Sequence, residues 1–137
     1  MKLNNWTKVI IIIICLAFSL VGFLIKLPFC FRHIDKELHS IFYFIAAAFF
    51  TVLFANKNII RHILIFILLY LFSVAIEYAQ EYSNILFHKR IHGLYDKEDV
   101  HANLIGLICF SILWIIYIVI LFLFNKSKTN KNHKKEL

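Results

Sequence analysis

Apolar runs long enough to cross a lipid bilayer constrain this chain more than any other feature. A helix rises about 1.5 Å per residue and the hydrocarbon core is about 30 Å thick, so roughly 20 apolar residues in succession span it. Val9 to Ile25, Ile59 to Ile76 and Leu104 to Phe124 meet or approach that length. Leu38 to Ala55 carries His39, Ser40 and Tyr43 near its start, yet the remainder from Phe44 onward is apolar enough to insert as a further span. Apolar side chains make up 61% of the 137 residues, too many for polar groups to cover, so lipid must cover much of the surface. The expectation is an all-α polytopic membrane protein, a four-transmembrane-helix bundle. Its helices fall at about 8–27, 36–56, 58–82 and 98–124, within one transmembrane domain over 1–125 and ahead of a basic tail at 126–137.

Charge orients such a bundle, because lysine- and arginine-rich loops stay cytoplasmic while acidic residues contribute little to the choice. With this arrangement Lys2, Lys8, Lys57, Arg61, Lys126, Lys128, Lys131, Lys134 and Lys135 share one side. The other side holds Lys26, Arg32, Lys36, Lys89, Arg90 and Lys97, together with every acidic residue except Glu136. Both termini are therefore expected on the cytoplasmic side. Lys2 and Lys8 before an apolar run also resemble a signal peptide, but no small-x-small cleavage site follows at Leu20 to Cys30, so this run is expected to be retained as the first helix. The net charge of +7 is concentrated in the lysine tail, which predicts anionic lipid as its partner and argues against nucleic acid. Cys15, Cys30 and Cys109 are odd in number and lack CxxC spacing, so no disulfide framework is implied. Trp6 and Trp114 read as interface anchors.

Polar residues then gather at one level of the predicted bundle. Asp35, His39 and Tyr43 are four apart and share a helical face. Glu77 lies about 27 Å along the third helix, near the outer edge of the hydrocarbon, with Gln80 and Glu81 one turn further. Asp99, Asn103 and Gly106 descend from the same edge on the fourth helix. Polar groups at membrane level cost several kcal/mol, roughly, when they face lipid without partners, so these residues are expected to face one another in an acidic pocket open to the outer surface. Arg90, in the connecting loop, would be a lid or an anion ligand. Two plainer roles stand beside this one: Asp35 could cap the second helix and Asp96 with Asp99 the fourth, while Glu77, Gln80 and Asn103 could be hydrogen-bond glue between helices. No cofactor is predicted, although a divalent metal held by Asp35, His39, Glu77 and Asp99 is a further candidate; His88 and His92 in the loop are weaker metal ligands.

These residues also form a recognisable pattern. Asp35, Lys36, His39 and Tyr43 read DKxxHxxxY, Glu77 and Gln80 read ExxQ, and Asp96, Asp99, Asn103 and Gly106 read DxxDxxxNxxG, with Arg90 between. In order and spacing the set resembles VanZ-like membrane proteins over nearly the whole chain apart from the tail. Arg90 precedes Asp96 by six positions, longer than the pattern usually has, and Phe110 stands where a second glycine is common. The resemblance implies a bacterial plasma-membrane protein of a family associated with teicoplanin-type glycopeptide resistance; it implies no biochemical activity. The expected function is binding of a cell-envelope lipid or lipid-linked cell-wall precursor in the outer pocket. The alternatives are a membrane-embedded, metal-assisted hydrolase or transferase acting on an envelope lipid, and a non-catalytic scaffold.

Overall fold

The computed structural model describes residues 4–24, 34–88 and 95–133, with side chains described for residues 4–22, 34–88 and 95–127. The described chain is helical, with short turns and no strand among the described residues: α1 (Asn5–Leu24), α2 (Asp35–Phe50) continued by a π-helical turn (Thr51–Ala55), α3 (Ile59–Leu86) and α4 (Lys97–His133). All four are long and apolar enough to cross a membrane, α2 together with its π-helical turn. Arg90, His92, Pro28 and Cys30 lie outside the described residues.

The helices begin and end where local chemistry allows. Asn58 caps α3, its side chain accepting from the Arg61 N–H at 3.0 Å. At the start of α4 the Asp96 carboxylate accepts from the Glu98 N–H at 2.8 Å. Glu98 and Asp99 in the first turn of α4, like Asp35 and Glu37 in the first turn of α2, favour the positive end of the helix dipole. Asp35 itself is not the capping residue. Ile34 occupies that position and makes no side-chain capping bond, which leaves the Asp35 carboxylate for the site. Two helices outrun their apolar periodicity: α3 continues to Leu86 and α4 to His133, since neither glycine nor proline stands between Ile76 and Leu86 or between Phe124 and His133. At 37 residues α4 is about 55 Å long, so it carries the lysine-bearing segment from Lys126 well beyond an apolar layer of about 30 Å.

One short connection and one close approach set the packing. Asn56, at φ 53°, turns the chain back from α2 into α3, a left-handed conformation that asparagine tolerates. α3 therefore runs opposite to α2, and α4 opposite to α3, so the starts of α2 and α4 and the end of α3 meet at one end of the bundle. α2 and α4 make the most extensive contact. Its tightest point is Gly106, where an added Cβ would fall 2.1 Å from the Ser40 carbonyl oxygen. Gly106 thus belongs to the helix contact and not to the wall of a pocket. Tyr43, Ala47 and Leu107 form the core beside it, packed by Phe66, Leu69, Tyr70, Phe72 and Phe110. Phe110 meets Phe44 edge-on at 5.6 Å between centroids, so α4 is bulky one turn after its glycine.

Among the described residues α1 packs mainly against α3 and buries none of its apolar window. The Lys8 ammonium lies 5.8 Å from the centre of the Phe54 ring, which places the start of α1 beside the α2–α3 turn, at the end opposite the acidic residues. Outward faces bearing Ile10, Ile13, Leu64, Leu68, Ile112 and Leu123 are exposed apolar surface of the kind that lipid covers.

Candidate functional site

At the end where α2 and α4 start and α3 finishes, one hydrogen-bonded chain ties three helices together. His39 Nδ1 lies 3.0 Å from Asn103 Oδ1, and Asn103 Nδ2 donates to Ser73 Oγ at 2.7 Å. A carbonyl oxygen only accepts, so His39 carries its proton on Nδ1 and presents Nε2 to the other side. Asn103 and Ser73 are fully buried and His39 nearly so. The glue role considered for Asn103 is therefore real, and Ser73, which the sequence did not single out, is its second partner. The only sequence signal at Ser73 was a hydroxyl within an apolar run.

At the other ring nitrogen, His39 Nε2 stands 3.8 Å from Asp35 Oδ1. One donor atom each from Asp35, His39 and Asp99 lie within 4.8 Å of one another, and these are the described residues placed to hold a metal. The Asp35 Oδ1 atom is buried with no hydrogen-bond partner. Asp35 and His39 share a face of α2 by their spacing of four, and the parallel start of α4 brings Asp99 to the same level.

Glu77 approaches from α3. It has no solvent exposure; Oε2 accepts the Asp96 N–H at 3.3 Å, while Oε1 is buried without a hydrogen-bond partner. Asp99, Asp96 and Asp35 are all near enough to act on its charge. The positive rim group Lys36 is engaged by Glu98 across the α2–α4 contact, both side chains being well exposed. Gln80 is buried one turn beyond Glu77.

The predicted set thus divides. Asp35, His39, Asp99 and Asn103 come together, with Glu77 and Asp96 joined to each other beside them. Lys36 is at the rim, Tyr43 is core, Gly106 is the helix contact, and Arg90 falls outside the described residues. Asp96 does cap α4, as the plainer role had it.

A second polar knot lies toward the other end. His62 on α3 bonds Thr51 Oγ1 through Nδ1 and Ser111 Oγ through Nε2, each at 3.1 Å, and stacks on Trp114 with centroids 4.2 Å apart. Ser111 Oγ donates to the Leu107 carbonyl, so it accepts from His62 Nε2–H, and Thr51 donates to Nδ1. Every ring position of His62 is satisfied within the protein. Trp114, expected as an interface anchor, is instead buried against this histidine; Trp6 remains exposed. The knot escaped sequence reasoning because its members are single polar residues on separate apolar runs.

Fold and site together define a polytopic, four-helix membrane protein with a buried histidine and carboxylate cluster at one end. No protein-family model, no curated protein and no solved structure matches the chain, so its function is argued from these residues.

Proposed function

We propose that the cluster binds the polar headgroup of a cell-envelope lipid or lipid-linked cell-wall precursor in a bacterial plasma membrane, with both termini cytoplasmic and the lysine tail on anionic lipid. One observation carries this: Asp35, His39 and Asp99 converge from two helices at the bundle end, where lipid headgroups meet water, with the buried Glu77 of α3 beside them. Exposed apolar helix faces below that level suit acyl chains. Lys36 at the rim supplies a contact for phosphate oxygens, and the carboxylates suit amine or hydroxyl groups. The resemblance of the three motifs to VanZ-like proteins supports the bacterial plasma membrane as the setting, and a link to glycopeptide resistance enters on that ground alone.

The full chain purified in mild detergent, analysed by native mass spectrometry, is expected to retain envelope lipid. Asp35→Asn and Asp99→Asn are expected to lose that lipid while melting at an unchanged temperature. Equal retention by these variants refutes the proposal. A second role, hydrolysis or transfer on such a lipid, is supported by the acceptor Nε2 of His39 between two carboxylates, an arrangement suited to a general base. Turnover of an envelope lipid by wild type and not by His39→Gln is its test.

A further inference from the structure

We infer that Asp35, His39 and Asp99 bind one first-row divalent ion, of the Zn²⁺ or Mn²⁺ class, at the mouth of the bundle.

Distance is the first ground. Ligands bonded to such an ion at about 2.0–2.2 Å stand about 3.3–4.4 Å apart, so donors already within 4.8 Å need to close by at most about 1.5 Å. The 3.8 Å between His39 Nε2 and Asp35 Oδ1 is too long for a hydrogen bond and suits two ligands of one ion.

The histidine supplies the second ground. Metal-binding imidazoles commonly donate their other N–H to a carbonyl or carboxylate, which fixes the tautomer and aims the lone pair. His39 has that arrangement: Nδ1–H is held by Asn103 Oδ1, Asn103 is anchored in turn by Ser73, and Nε2 faces the carboxylates. A hydrogen-bond network reaching two other helices thus orients the one nitrogen ligand.

The third ground is unsatisfied charge. Asp35 Oδ1 is a buried carboxylate oxygen with no hydrogen-bond partner, and Glu77, wholly buried, leaves Oε1 in the same condition. Burying carboxylates without a compensating charge or donor is costly, and Lys36 is drawn to the rim by Glu98. A divalent cation at the three-residue site supplies the missing charge. The donor set selects the class: one imidazole with two carboxylates suits Zn²⁺ or Mn²⁺ better than Ca²⁺, which takes oxygen ligands, or Cu⁺, which takes thiolates. The inference deepens the headgroup proposal, on which it rests only for the ion's role, since an ion held by carboxylates gives an acidic pocket an affinity for phosphate oxygens.

The test uses the untagged full chain in detergent micelles, stripped with EDTA and titrated calorimetrically with ZnCl₂ or MnCl₂. Wild type is expected to bind one ion per chain. His39→Gln and Asp99→Asn should weaken binding about 100-fold, and Asn103→Leu about 10- to 100-fold. Asn103→Asp, which keeps an acceptor for His39 Nδ1–H, should bind like wild type. Melting each stripped variant with and without metal separates site loss from misfolding: a folded His39→Gln variant gains no stability from metal, whereas wild type does. No saturable binding by wild type, or undiminished binding by folded His39→Gln and Asp99→Asn, overturns the inference. If stripped wild type retains envelope lipid and binds no ion, the metal site falls and the headgroup proposal stands. If it binds an ion and retains no lipid, the reverse holds.

Discussion

Replacing Gly106 by alanine adds one methyl group at the point where α2 and α4 come closest. The new Cβ would sit 2.1 Å from the Ser40 carbonyl oxygen, 2.9 Å from its carbon and 3.1 Å from the Phe44 nitrogen, all backbone atoms that no rotamer change can move. Restoring an ordinary contact of about 3.4 Å requires the helices to part by roughly 1 Å. Asn103 is one turn from Gly106 and His39 is next to Ser40, so the same movement stretches the 3.0 Å bond between them beyond hydrogen-bonding length. Overpacking of about 1–3 kcal/mol and a lost buried hydrogen bond of about 1 kcal/mol together predict a destabilisation of about 3 kcal/mol. For a chain of this size that lowers Tm by roughly 10 °C. The assay is thermal unfolding in detergent micelles, with Gly22→Ala as the control: among the described residues nothing lies within 4 Å of a Cβ at Gly22, so that change should be neutral or stabilising by up to about 1 kcal/mol. Equal melting of Gly106→Ala and wild type refutes the close helix approach and the coupling of that approach to the site.

Three further outcomes follow from particular contacts. Glu77→Gln removes a buried charge whose Oε1 has no hydrogen-bond partner while keeping an acceptor for the Asp96 N–H, so Tm should hold or rise; a fall of several degrees would show that the charge is compensated. His62→Ala breaks two buried hydrogen bonds and the Trp114 stack and should cost about 2–4 kcal/mol without reducing metal binding at the opposite end, as melting and metal titration would show. In a chain whose native cysteines are replaced, Lys57→Cys and Ser127→Cys should be shielded from an impermeant maleimide in intact cells while Glu37→Cys reacts; labelling of Lys57→Cys from outside reverses the proposed orientation.

Much of this protein was determined by sequence alone, because lipid-spanning helices answer to local rules. Apolar length dictates the number of spans, backbone hydrogen bonding in lipid dictates that they are helices, and the spacing of four between Asp35 and His39 puts both on one face whatever the neighbours do. The level of the polar cluster was also legible, since rise per residue converts position into depth. Only the tertiary structure decided what each polar residue touches. Gly106 and Trp114 look in sequence like a pocket wall and an interface anchor, but they serve as a helix contact and a stacking partner. The physical reason is that helix periodicity assigns a residue to a face, whereas its partner depends on how far the neighbouring helix is rotated and slid. That is set by the closest backbone approach, here Gly106 against Ser40, which pairs His39 with Asn103 and, through Asn103, with Ser73.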